Sequence, residues 1–493
     1  MRQRIVVVGA GVVGLSIARL LTMYEGLEVH IVEKEADVGW GASRANTALL
    51  HAGYDDDPDR YPVRASLCRA GNEMWRRWLR ELEVPVRWCG SLVAAIEDYQ
   101  VDHIYELLER GRRNGVPGLA FLDGDEARRL EPLLSERVRA ALWAPTAGVV
   151  AVHELLYALA ENVVDNGAII HLRTRVTGIR VESGEVKGVE TSRGFIEAEW
   201  VINAAGLYAD EVSRMAGIDK FEIKPRRGQY ILFDKSAEPK PHRIIFPTPT
   251  PKTKGVVVVT TTEGNLMLGP TAEDLPIWAK EDYSTSREGL EYVMKEASKL
   301  VKQLPPRSAV IRTFAGLRPE PTGGDFIIEA YDDPRGFVNA AGMRSPGLTA
   351  SPAVAAKVIE LMRELGLRLK RRSDWRPYRR RARRPSELSF EEWDKMIGMN
   401  ANYGRIVCLC EKVTEAEILE AIRRGATTLD GVKYRTRAMA GRCQGAFCRL
   451  KVALILAREL GVPLWRVTVK GVGSELGLGH IKVLLEEGGD EEG

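Results

Sequence analysis

The sequence is short of cysteine, of net charge and of long apolar runs. Six cysteines in 493 residues are too few for a disulfide scaffold. Four of them crowd into residues 408–448, which points to ligation chemistry in a reducing compartment. Cys68 and Cys89 stand apart and read as buried small hydrophobes. With 71 Lys plus Arg against 68 Asp plus Glu the net charge is +3, which excludes a chain-wide nucleic-acid footprint. No uninterrupted apolar stretch approaches the roughly 20 residues of a membrane span. The opening Met1-Arg-Gln-Arg4 and apolar Ile5–Val8 imitate a signal peptide, but glycines at 9, 11 and 14 interrupt the run and no small-residue cleavage site follows. A cytoplasmic protein is expected, with peripheral attachment to the inner face of the cell membrane left open.

Hydrophobic residues make up 45% and charged residues 28%, the balance of a globular chain of about three domains. Ile5–Val8 reads as a buried parallel strand, residues 13–23 as a helix and Glu28–Glu33 as a second strand, a βαβ unit. Residues 91–145 read as mostly helical. Short strands follow at Ile169–Leu172, Val176–Val181, Val186–Thr191 and Val201–Asn203. A second β-rich stretch spans Gly228–Gly269, and Ala353–Leu367 is helical again. Lys370–Arg384 holds eight arginines, with Pro377 inside the run and Pro385 just after it, and reads as a solvated basic linker, with a docking strip for an acidic partner or anionic lipid as the alternative. The acidic end, Glu486–Gly493, reads as a frayed tail.

Gly9-Ala-Gly11-Val-Val-Gly14 fits G-x-G-x-x-G between strand and helix, and Glu33 lies 19 residues beyond Gly14 at the end of the next strand. That context marks a dinucleotide site. Gly9 makes the tight turn, Gly11 admits a pyrophosphate, Gly14 lets helix and strand approach, and Glu33 accepts from the adenosine ribose hydroxyls. FAD and NAD are equally compatible with this much.

Further motifs resemble the D-amino-acid-oxidase-like superfamily of FAD-dependent oxidoreductases over residues 1–365. Trp40-Gly-Ala-Ser43-Arg44-Ala-Asn46 is similar to the loop that wraps the second phosphate and ribityl chain. Val176 matches the position that meets adenine, and Asn203-Ala-Ala205-Gly206 the segment that passes the cofactor. Gly342-Met-Arg-Ser-Pro-Gly347-Leu348-Thr349-Ala-Ser351 looks like the C-terminal flavin loop. Leu50-His51-Ala-Gly-Tyr54 resembles the stretch beside the flavin in the glycerol-3-phosphate and 2-hydroxyglutarate dehydrogenase branches, where His51 is either a general base or a group that orients the ring. The resemblance implies that Arg318, in Gly316-Leu-Arg-Pro319, anchors an anionic substrate, and Arg344 could supply a second fork. Arg226-Arg-Gly-Gln-Tyr230 stays unassigned.

Cys408-x-Cys410 and Cys443-x4-Cys448 depart from the paired C-x2-C of zinc ribbons. The unequal spacing resembles the bacterioferritin-associated-ferredoxin-like domain, which implies four thiolates on a 2Fe-2S cluster. Zinc or free thiols remain as alternatives. Thr414 and Glu417 form a capping box for a helix ending near Gly425, and Phe447–Leu460 forms another helix.

The expected fold class is α/β, α+β overall. A Rossmann-type FAD-binding domain (about 1–90, 146–225 and 310–368) is interleaved with a β-rich substrate domain (about 91–145 and 226–309). A basic linker (369–402), a small helical BFD-like 2Fe-2S domain (403–465) and a tail (466–493) follow. This order is similar to the anaerobic glycerol-3-phosphate dehydrogenase family. The resemblance implies hydride transfer from C2 of glycerol 3-phosphate to flavin N5, giving dihydroxyacetone phosphate, with electrons passed on singly through the cluster. The partners implied are a small anionic substrate and an electron acceptor, quinone-linked or an iron-sulfur protein subunit. No nucleic acid is implied, and oligomerisation stays open. The rivals are a 2-hydroxyacid dehydrogenase of the L-2-hydroxyglutarate kind, an amino or imino acid dehydrogenase subunit, and an electron-transfer adaptor without an organic substrate.

Overall fold

The computed structural model describes residues 2–250, 253–479 and 482; the Glu486–Gly493 tail lies outside them. The chain divides into two compact units, residues 1–34 with 38–379 and residues 35–37 with 380–493.

The first unit is built on two sheets. In one, five parallel strands run in the order Ile169–His171, Leu27–Val32, Gln3–Val8, Trp200–Asn203, Arg335–Ala341. The β-branched runs of the three inner strands are covered on both faces, the usual condition of a parallel sheet, while Ile169 on the edge strand is exposed. Helix Val12–Leu21 returns over this sheet, with Ala18 and Leu21 fully buried. It packs against helix Gly347–Glu364, which also receives helix Pro62–Glu81. A Cβ on Gly71 would stand 2.1 Å from the Thr349 carbonyl oxygen, so the two helices meet at backbone distance. Ile169–His171, read from sequence with the short-strand series, pairs in parallel with Leu27–Val32 instead.

The second sheet joins Ile223–Phe233 and Val310–Pro321, paired antiparallel along their length, to strands from both halves of the expected substrate domain. Residues 91–145 are not mostly helical. Strands Ser91–Ala95, Ala120–Asp123 and Ala140–Ala144 alternate with helices Tyr99–Arg113 and Gly124–Leu130. Ser-Leu-Val-Ala-Ala and Ala-Ala-Leu-Trp-Ala are short apolar runs buried on both faces, and periodicity alone does not separate such strands from helix.

The expected linker also differs from a solvated strip. Arg379 is buried, bonded through Nε to Glu161 and set 3.4 Å from Glu154. The Arg376 carbonyl accepts from Asn162 and Asn166, and Arg19 lies between Trp78 and Trp375. These carboxylates, amides and rings come from distant elements, which no local pattern reveals. Residues 390–399 form a helix capped by Ser389 and Glu392.

The second unit packs helices Glu415–Arg423, Leu429–Thr436 and Arg449–Leu460 around Ile418, Val432, Val452 and Leu456. The Thr414 and Glu417 box is present, with the Thr414 N–H donating to Glu417 Oε2 at 2.8 Å, a cap worth about 1 kcal/mol. The middle helix was not expected. Among the described residues no helix is long and apolar enough to cross a membrane.

Candidate active site and cysteine centre

Strand Gln3–Val8 runs into Gly9-Ala-Gly11, where helix Val12–Leu21 begins. Gly9 has φ +102°, and a Cβ there would stand 2.5 Å from the Ala204 carbonyl oxygen, a conformation and approach reserved for glycine. A Cβ on Gly14 would meet the Gly9 oxygen at 2.0 Å, and one on Gly11 would meet Ser43 Oγ at 3.1 Å. The Val12 N–H donates to Ser43 Oγ (3.0 Å) and the Ala10 N–H to Glu33 Oε2 (2.8 Å). Thr174 N–H donates to the Glu33 carbonyl, two residues before buried Val176. The glycine turn, Ser43, Glu33, Val176 and the Asn203–Gly206 segment with Ala205 are thus gathered at one helix start, whose N–H groups and positive partial charge suit phosphate.

The next loop is folded by Asn46, which donates to the Ala42 and Ser43 carbonyls and accepts from the Ala48 N–H at 2.7 Å. The Arg44 guanidinium lies 4.8 Å over the Trp40 ring. A Cβ on Gly316 would stand 1.9 Å from the Ala45 oxygen, so this loop rests directly on the strand that carries Arg318.

His51 ties this half to the C-terminal flavin loop. Its N–H donates to the buried Thr349 Oγ1 at 2.9 Å, and Ser345 Oγ lies 3.3 Å from its Nε2. Trp75 Nε1 donates to the Leu348 carbonyl at 3.0 Å. Gly347, Leu348 and Thr349 open helix Gly347–Glu364, so their N–H groups lack intrahelical acceptors. Gly342 has φ +69° and packs on Pro321. Burial, with the Lys254 and Arg318 charges, lowers the His51 imidazole to about 3. It is therefore neutral at physiological pH. Lys254 Nζ lies 2.6 Å from Asp55 Oδ2; burial alone would discharge both, but their attraction keeps the carboxyl low and the ammonium high.

The two predicted arginines differ. Arg318 is half-buried and, among the described residues, has no ion-pair partner. Its cross-strand neighbour is another cation, Arg226, which already has Asp274 and Glu320 beside it. Arg344 Nε lies 3.1 Å from Glu320 Oε2, and burial lowers its pKa against the pull of that carboxylate. Arg318 therefore has its charge available to a ligand, whereas Arg344 already has a counterion.

These residues fit an FAD. The glycines leave room for backbone approach, two helix starts supply N–H donors, and the Glu33 carboxylate stands beside the glycine turn, bonded to the Ala10 N–H. Sequence reasoning missed Lys254, Asp55 and Glu320. Asp55-Asp-Asp57, just after His51, was the available signal for one of them; Lys254 and Glu320 carry none.

In the second unit Cys410 Sγ and Cys443 Sγ are 3.6 Å apart, and Cys408 is hydrogen-bonded to Cys448. The thiols thus form two pairs, and among the described residues no three His, Cys, Asp or Glu groups converge on a single metal ion. Two irons, each taking two thiolates, suit this arrangement better than one tetrahedral zinc. The N–H groups of Phe447, Gly445 and Ala446 lower the Cys443 thiol, while burial and Cys408 push Cys448 up to about 12. Metal binding would deprotonate it.

Residues 4–361 match the FAD dependent oxidoreductase family and residues 406–458 the BFD-like 2Fe-2S binding domain; the chain belongs to the FAD dependent oxidoreductases, with FAD and a 2Fe-2S cluster as cofactors. The glycerol 3-phosphate dehydrogenase of Caloramator mitchellensis is 41% identical over 480 residues, 97% of this chain and 98% of that protein. Anaerobic glycerol-3-phosphate dehydrogenase subunit A1 of Haloferax volcanii is 29% identical over 92% of this chain and 83% of its own length. A solved structure, dithionite-reduced L-alpha-glycerophosphate oxidase from Mycoplasma pneumoniae with FAD bound, superposes with a TM-score of 0.71 at 28% identity, over 77% of this chain and 98% of that one.

Proposed function

We propose that the protein is a glycerol-3-phosphate dehydrogenase that oxidises the C2 alcohol to dihydroxyacetone phosphate and passes the electrons onward through its iron-sulfur unit. The observation that carries this reading is Arg318, which among the described residues has no ion-pair partner and acts together with Lys254 on a half-buried, neutral imidazole. FAD, when bound, supplies a hydride acceptor, and the cluster a one-electron centre that suits a one-electron acceptor.

The chain's own groups bind and orient the substrate. Arg318 offers a planar fork to the phosphate and Lys254 a point charge. Asp55 keeps Lys254 protonated in its half-buried position. Arg344 acts through Glu320, which it holds beside Arg226, and so positions the strand that carries Arg318. His51 Nε2 takes the C2 hydroxyl proton, and Thr349 fixes the imidazole's backbone.

Burial is the largest cause of the low basicity of the ligand-free imidazole, and the Lys254 and Arg318 charges add to it. A phosphate dianion beside those two cations offsets their part and raises the basicity of His51, while the part due to burial remains. Binding and proton abstraction are coupled through charge.

A carboxylate would suit the same cations, so L-2-hydroxyglutarate is the comparison substrate. The test is product analysis with an artificial acceptor. Dihydroxyacetone phosphate should form one-for-one with glycerol 3-phosphate consumed, and C2 deuteration should slow single-turnover flavin reduction. Turnover of L-2-hydroxyglutarate alone would replace this reading with the 2-hydroxyacid one.

A further inference from the structure

Around the cysteine loops the second unit exposes apolar side chains that no packing accounts for. Leu409, between Cys408 and Cys410, is 74% exposed; Phe447, just before Cys448, is 78% exposed; Leu450 and Leu454 are 60% and 51% exposed. Leu450 and Leu454 lie one turn apart on helix Arg449–Leu460, and Phe447 precedes the helix on the loop that holds Cys443. Cys443 itself forms part of a surface hollow whose walls include Ala446, Arg449 and Leu450.

Along residues 442–451 the charges have one sign. Arg442, Arg449 and Lys451 are exposed and, among the described residues, form no ion pair. No acid lies between positions 442 and 451. The nearby Glu411 is held by Arg437 at 2.9 Å. An apolar centre ringed by unpaired cations is the composition of a steered protein interface. Isolated exposed apolar residues would need no explanation, but three leucines and a phenylalanine beside ligand loops do.

We propose that this face is the docking surface for an acidic one-electron carrier protein, whose apolar contact covers Leu409, Phe447 and Leu450 while its carboxylates meet Arg442, Arg449 and Lys451. The partner is taken to be a protein because the face surrounds the ligand loops, so its occupant must itself accept electrons. One substrate oxidised releases two electrons, so two successive encounters with a one-electron acceptor complete each turnover. The inference rests on the proposed dehydrogenase reading, since it assumes that the cluster is an exit.

The test is binding to the holoenzyme, read by calorimetry, with an acidic 2Fe-2S ferredoxin as probe and basic cytochrome c as counter-probe, both oxidised. The ferredoxin should bind more tightly, and rising salt should weaken it. The double variant Arg449→Glu, Lys451→Glu should weaken it about tenfold or more at low salt, with the difference shrinking at high salt. Leu450→Ser should weaken binding at every salt concentration. Arg307→Glu, an exposed charge on the first unit, should leave it unchanged. Cluster absorbance and electron paramagnetic resonance must stay as in the parent, which shows that a loss is not misfolding. Unaltered ferredoxin binding in the double variant would overturn the proposal. So would a charge reversal that abolishes binding only to phosphatidylglycerol vesicles, which would make the face a lipid surface. If the double variant loses the probe while glycerol 3-phosphate fails to reduce the flavin, the docking surface stands and the substrate reading falls.

Discussion

Replacing Arg318 with Met should separate substrate anchoring from structural support. Among the described residues Arg318 has no carboxylate partner to leave stranded, so its loss should cost little stability. What it should cost is the charged hydrogen-bonded contact with phosphate, about 1.5–3 kcal/mol, or roughly 10- to 150-fold in kcat/KM. Arg318→Lys keeps the charge but not the fork and should recover only part of that loss. Arg344→Met should behave differently: it strips Glu320 of its 3.1 Å partner, so melting temperature should fall more than kcat/KM. A second readout follows from His51. Its depression to about 3 owes most to burial and part to Lys254 and Arg318, so removing Arg318 should raise it. The acid limb of kcat/KM, corrected for the phosphate ionisation near pH 6, should then move to higher pH in Arg318→Met. Steady-state kinetics with an artificial acceptor would measure the first effect, and an NMR titration of the His51 ring from pH 8 down to about 3 the second. If Arg318→Met retains kcat/KM within about twofold, or loses only stability, the anchoring argument is wrong.

Gly316→Ala should loosen FAD, because a Cβ 1.9 Å from the Ala45 oxygen forces the Ser43–Asn46 loop away; losing one phosphate hydrogen bond would weaken the cofactor about tenfold. Gly323→Ala, with open space around its Cβ, is the control in a fluorescence titration. Cys443→Ser and Cys448→Ser should each abolish the cluster's absorbance and paramagnetic signal while flavin content stays at the parent level, since the ligand loops belong to the second unit; loss of FAD in both would contradict the two-unit account. Lys254→Met leaves the half-buried Asp55 without its 2.6 Å partner, so the carboxyl should titrate upward and the variant should gain stability as pH falls through that raised value; thermal melts from pH 8 to about 4 would show the opposite slope if Asp55 finds another cation.

The cofactor frame was legible because its signals are local. Gly9, Gly11, Gly14 and Glu33 carry a spacing that follows from backbone approach, and Thr414 with Glu417 announces a helix start through two side chains three residues apart. The strands within 91–145 were misread because Ala140–Ala144 is buried on both faces and loses its alternation. Lys254 and Glu320 were invisible for another reason. Lys254 acquires its role only when a distant N-terminal loop brings Asp55 to 2.6 Å and His51 under its charge, and Glu320 only when the loop before helix Gly347–Glu364 brings Arg344 to 3.1 Å; no local pattern encodes either meeting. Arg379 is the converse case: a residue in a basic run, which solvates such runs by default, is buried because Glu154 and Glu161 await it on helix Val152–Asp165.

The account's central claim is that an anion held by Arg318 and Lys254 delivers its C2 hydride to the bound flavin. An anaerobic absorbance titration of the reconstituted protein tests it most directly. Glycerol 3-phosphate should bleach the flavin band stoichiometrically, ahead of L-2-hydroxyglutarate and amino acids. A flavin that glycerol 3-phosphate leaves fully oxidised while another substrate reduces it would contradict the account.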